Sequence, residues 1–175
     1  MFRGLLGSLA CSIVIVAFAG PAFAANPVYS VSAIRAYLYY DDTGEIGTVD
    51  ITRVADGDLF NTIIGEGLAG RPSNTTLIIV EVYGPSFASK DVGKLFIKAT
   101  ADQDQGEGSK QTVVLERSVD LNNYFQEHHR KILVPVFLYQ TGSIPVTVTA
   151  TLKGGNEAKG MTAVLKRTIN FTGGE

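Results

Sequence analysis

His128 and His129 stand side by side in YFQEHHRK, flanked by Glu127 and Arg130, and they are the only histidines of the chain. An imidazole near carboxylates can move protons or hold a metal ion. The spacing works against one ion shared by both rings. Adjacent residues point about 100° apart on a helix and to opposite faces of a strand. His128 with Asp120 and Glu127 is thus the best available set for a small hydrolytic or metal-dependent site. The simpler expectation makes His128 part of an apolar plug and leaves His129 in water.

ADQDQGEGSK carries Asp102, Asp104 and Glu107. Its D-x-D start resembles that of a calcium loop, in which alternate side-chain oxygens face one hard cation. That signature needs glycine at the sixth position and glutamate at the twelfth. Counted from Asp102, those positions hold Glu107 and Val113. A solvated loop is the expectation, with calcium as the alternative and no other cofactor implied.

GEGLAG, Gly65 to Gly70, matches the glycine pattern of dinucleotide sites in its letters only. Such a motif must follow a strand and open a helix whose N-terminus holds the pyrophosphate. Here an apolar helical pattern precedes Gly65, and Arg71-Pro72-Ser73-Asn74 follows Gly70. Nucleophilic catalysis has no better footing. Gly84-Pro85-Ser86-Phe87-Ala88 lacks the last glycine of a nucleophile elbow, and no S-x-x-K occurs.

The remaining chemistry belongs to surfaces. Tyr29, Arg35, Tyr37 and Tyr39 share one parity of SVSAIRAYLYY and its approach, opposite Ile34, Ala36 and Leu38. An outward stripe of Arg35, Tyr37 and Tyr39 suits recognition, because each side chain joins contact area to a polar end. Glu81 is a charge inside the most apolar run, LIIVEVY, and calls for a cation such as Arg35 or Arg117.

These residues need elements to position them. Runs rich in β-branched and aromatic residues, bounded by Gly, Asp, Asn or Pro, predict strands over 30–40, 48–54, 77–83, 94–101, 111–119, 132–139, 144–152 and 163–171. IPVTVTATL alternates strictly, with Ile144, Val146, Val148, Ala150 and Leu152 on one face and threonines on the other. That is the mark of an antiparallel strand with one wet side. Leu77-Ile78-Ile79-Val80 is apolar on both sides, as a central strand would be. Pro135 within ILVPVFLY removes a ladder donor, which predicts an edge or a bulge. Asp41–Gly44 and Gln140–Ser143 predict tight turns between neighbouring strands. Two short helices are expected, one capped by Asp58, carrying Leu59, Phe60, Ile63 and Ile64 and ended by Gly65 before a loop to Gly70, and one from Leu121, Tyr124, Phe125 and His128.

The expected fold is an all-β, two-sheet antiparallel β-sandwich, immunoglobulin-like or jelly-roll-like, with about eight strands; an up-and-down barrel is the alternative. MFR, an uncharged apolar run, Pro21 and Ala22-Phe23-Ala24 together form a secretory signal pattern over 1–24. Residues 25–175 then form a single domain. The one cysteine, Cys11, falls inside the signal, so no disulfide is available to that domain. A net charge of −2 with scattered Lys and Arg offers no basic stripe for nucleic acid. No later run is long enough for a membrane helix. The expected protein is periplasmic or secreted, a non-catalytic binding or assembly module of a bacterial envelope with a protein partner. A calcium-stabilised sugar- or lipid-binding sandwich is a further alternative.

Overall fold

The computed structural model describes residues 29–63, 71–84, 93–104, 109–122, 124, 130–142, 144–155 and 162–172. Strands β1 (Ser30–Tyr40), β2 (Glu45–Ile46), β3 (Thr75–Tyr83) and β6 (Lys131–Tyr139) form one sheet in the order β2-β1-β3-β6. Strands β4 (Gly93–Asp104), β5 (Ser109–Asp120), β7 (Val146–Gly154) and β8 (Thr162–Ile169) form the other, ordered β5-β4-β7-β8. Every pairing is antiparallel. The two open sheets make a sandwich and not a barrel. β1, β3 and β6 follow one another as strands A, B and E of an immunoglobulin-like sandwich, and β5, β4, β7 and β8 follow as C′, C, F and G.

The core lies between the sheets. Ile34, Ala36 and Leu38 of β1, Ile78, Val80 and Val82 of β3, and alternate residues of β6 point inward from the first sheet. Leu95, Ile97 and Ala99 of β4 meet them with Val146, Val148, Ala150 and Leu152 of β7. The alternation of β7 is as the sequence predicts, except that the strand begins at Val146 and Ile144 lies exposed ahead of it.

β1 departs from simple alternation. Val31 pairs with Val82 and Ala33 with Glu81, so Ser32 is an extra residue in the ladder. A bulge of this kind shifts side-chain phase by one. Tyr29 therefore turns into the core at 3% exposure instead of joining Tyr37 and Tyr39 outside.

Three other expectations are corrected. Thr48–Val54 does not form a strand. Asp50 Oδ1 accepts from Thr52 N, from Thr52 Oγ1 and from Ala36 N of β1, which winds Ile51–Arg53 into a 3₁₀ turn against that strand. Residues 58–63 are not helical. Leu59 O accepts from Thr172 N, and Asn61 O accepts from Ser73 N, so these carbonyls are spent on distant partners and not on an i+4 ladder. Leu59 is nevertheless buried, as its apolar character requires. Ile64 and the cap Gly65 of this predicted helix, and the loop with Gly67 and Gly70 expected after it, lie outside the described residues. Finally, Gln140–Gly142 does not join neighbours in one sheet but crosses from β6 to β7 in the other, with Gln140 at φ +58°.

The four outer strands are each guarded differently. Beyond its short pairing with β2, β1 is covered where Asp50 takes the Ala36 N–H and Gly47 N donates to Leu38 O. In β5 the pairing skips Val114, and Arg117 stands at an inward position opposite Ile97. β8 places Arg167 inward, opposite Val148. β6 uses Pro135. Gly84 N donates to Arg130 O, and counting from that bonded pair puts Ile79↔Pro135 among the non-bonded pairs. The missing N–H of Pro135 therefore faces the free edge, so the sequence signal for an edge strand holds. Bulges, inward charges and prolines are standard protections against edge-to-edge pairing. No helix among the described residues is long and apolar enough to cross a membrane.

Candidate docking face on the first sheet

The two outward surfaces differ in kind. On the second sheet the outward positions are mostly polar: Thr147, Thr149, Thr151 and Lys153 on β7, Lys94 and Lys98 on β4, with Phe96, Val113 and Val164 as apolar exceptions. Such a face is built for water. The outward positions of the first sheet form rows across β1, β3 and β6 that read Tyr39-Thr75-Tyr139, Tyr37-Leu77-Phe137, Arg35-Ile79-Pro135 and Ala33-Glu81-Leu133. Ile46 of β2 extends the first row. Tyr139 is 65% exposed and Leu133 51%.

Aromatic geometry gives this face a solid end. The rings of Tyr39 and Phe137 meet edge to face with centroids 5.1 Å apart, and Phe137 stacks on Tyr139 at 6.2 Å. Tyr39 and Phe137 sit on strands separated by β3, nearly 10 Å apart by strand spacing. Their rings must lean over β3 to touch, which accounts for the burial of Leu77 and Thr75 beneath them.

The other end is ionic. Glu81, 5% exposed, lies diagonally between Arg35 Nη2 at 2.9 Å and Lys131 Nζ at 3.7 Å. Tyr37 first, then Glu81, hold the Arg35 guanidinium more firmly protonated than usual, against the opposing effect of burial. Arg35 Nε is buried without a hydrogen-bond partner. Arg117, the other predicted partner for Glu81, sits on β5 in the opposite sheet. A shallow depression of about 330 Å³ between the two ends is lined by Arg35, Tyr37, Ile46, Leu77 and Leu133 among others.

A second concavity, of about 480 Å³, lies beside the β1–β2 turn. Arg71 closes one side of it, with its guanidinium 3.7 Å above the Tyr40 ring and Nη2 on Glu45 and on Thr43 Oγ1. Arg71, then Thr43, hold the Glu45 carboxyl below its ordinary value. The cation of this hollow is already engaged, so it offers no waiting group to an anion.

Arg35, Tyr37 and Tyr39 are thus brought together on one face, as their parity predicts. Sequence reasoning missed their neighbours Leu133, Phe137 and Tyr139. The signal was present, since KILVPVFLY is apolar at both parities whereas VTVTATL is not. Asp102 and Asp104 fall at the end of β4, in register with Gln111 and Ser109, and Glu107 lies outside the described residues. Among the described residues no group of three or more His, Cys, Asp or Glu is placed to hold a metal ion. Asp120 ends β5, and its Oδ1 accepts from Asn122 N at 2.9 Å. His128, His129 and Glu127 lie outside the described residues. Leu121 is buried as the plug residue expected there, whereas Tyr124 is 55% exposed.

Protein-family models, curated proteins and solved structures were each compared with the chain, and none matches.

Proposed function

We propose that this chain is an exported, non-catalytic β-sandwich that serves as a binding or assembly module of a bacterial envelope. Its partner is a protein, and it docks on the outer face of β1, β3 and β6. One observation carries the reading: two faces of the same sandwich have opposite character, one threonine- and lysine-rich and the other aromatic and aliphatic. A sheet surface that only meets water has no use for Ile46, Leu133, Phe137 and Tyr139 together. Tyrosine and arginine on a rim of aliphatic side chains are also the composition favoured at interfaces. The N-terminal signal pattern supports the export part of the reading.

Site-specific photo-crosslinking in cells tests it. A photoreactive residue at Leu133 should yield a discrete protein adduct, and one at Thr149 on the opposite face should not. The adduct should weaken when Tyr37→Ala and Tyr39→Ala are combined. Equal labelling from both faces, or none from Leu133, would discard the proposal.

A further inference from the structure

We infer that the partner on this face is a second copy of the same chain, packed face to face about a two-fold axis lying across the strands between Tyr37 and Arg35. The inference rests on the docking face proposed above and specifies what occupies it.

The edges are the first consideration. Joining two sheets side by side would need an open ladder, and each outer strand is obstructed, most directly by Pro135 in the middle of β6. Association of the first sheet therefore has to use its face. Area comes next. Strands of 9 to 11 residues make a face about 30 Å long, and four strands make it about 15 to 20 Å wide. Two such faces together bury on the order of 1,000 Å², which reaches the size a specific interface requires.

Pattern is the third consideration, and it selects a copy over a stranger. A two-fold contact must be self-complementary, each residue meeting the one that meets it in return. The axis set between the second and third rows lays Tyr37 over Arg35, Leu77 over Ile79 and Phe137 over Pro135, each in both directions. Tyr139 then lies over Leu133. The cation meets an aromatic ring, the aliphatic and aromatic residues meet each other, and no two like charges are opposed. An axis parallel to the strands would instead lay β1 over β6 and give the Arg35 guanidinium only Pro135 to face.

Sedimentation velocity of the protein recovered from expressing cells, from about 1 to 100 μM, tests this. The wild type should show a reversible monomer–dimer equilibrium. Phe137→Glu should weaken it by roughly thirtyfold or more, the scale of a central interface residue, while its far-UV circular dichroism and melting curve remain those of the wild type. The register has its own test. Tyr139→Lys and Leu133→Glu should each be monomeric alone and form a mixed dimer when combined, because the proposed axis places these positions together. A wild type that stays monomeric throughout would overturn the inference. So would a dimer indifferent to Phe137→Glu, or failure of the mixed pair to recover. If the wild type is monomeric yet Leu133 still crosslinks to another protein in cells, the docking face stands and only self-pairing fails. If neither occurs, both fail.

Discussion

Glu81 carries more of this surface than its single charge suggests. It is the buried member of a triad whose cations are each about two-fifths exposed, so water screens part of what they gain from it. Glu81→Gln keeps the shape and removes the charge, leaving Arg35 and Lys131 side by side without a counter-ion. The expected loss is about 1–2 kcal/mol, read as a lower urea midpoint at unchanged slope. Glu45 carries a pH signature. Its carboxyl is held low in the folded protein by Arg71 and then Thr43. A depressed acid of this kind contributes stability above its unfolded value, and loses it as pH falls through the folded one. The β1–β2 turn should therefore slacken in acid before the core does. An NMR titration of Glu45 should move up toward the ordinary glutamate value in Arg71→Gln, and an unchanged midpoint would contradict the clamp.

At the level of elements, Pro135 is the residue to change. Its ring nitrogen faces the open side of β6, so Pro135→Val should leave folding stability within about 0.5 kcal/mol. It should also restore a continuous edge, and faster aggregation on mild heating, followed by light scattering, is the expected sign. The strands themselves were largely legible in the sequence. β1 is predicted to the residue, and β4 to β8 to within a few, because period-two patterns and turn residues are local signals. What escaped was non-local. The apolar spacing of Leu59, Phe60 and Ile63 satisfies a helix on paper, yet the backbone bonds of the segment go to Ser73 and Thr172. Asp50 sits among β-branched residues that favour a strand, and only the nearness of Ala36 N shows why it folds a turn instead. The apolar outer face of the first sheet could be half seen. Arg35, Tyr37 and Tyr39 are visible in one strand, but placing Phe137 and Tyr139 beside them requires the pairing of β3 with both β1 and β6.

For the molecule as a whole, the arrangement implies two unequal classes of apolar residue. Ile78 of β3 is fully buried between the sheets, and Ile78→Ala should cost roughly 2–5 kcal/mol. Leu133, of similar size but half exposed on the outer face, should cost less than about 1 kcal/mol as Leu133→Ala. Thermal melts of the monomer in dilute solution read the difference directly, and comparable losses would mean the outer face is a second core. The contrast matters because it makes the face expendable for folding.

The extra residue at Ser32 has a consequence that concerns the gene as much as the fold. Substituting Ser32 removes only a hydroxyl that donates to Glu81 O at 3.3 Å, and Ser32→Ala should be well tolerated. Losing its codon should be tolerated as well. With Ser32 gone, Val31 would stand beside Ala33 in plain alternation and still oppose Val82, so Tyr29 and Val31 would keep their inward phase and Ser30 its outward one. A three-nucleotide deletion here would thus straighten the ladder and leave inside and outside where they are. Its melting temperature should stay close to that of Ser32→Ala, and a large drop would mean that the bulge itself is needed.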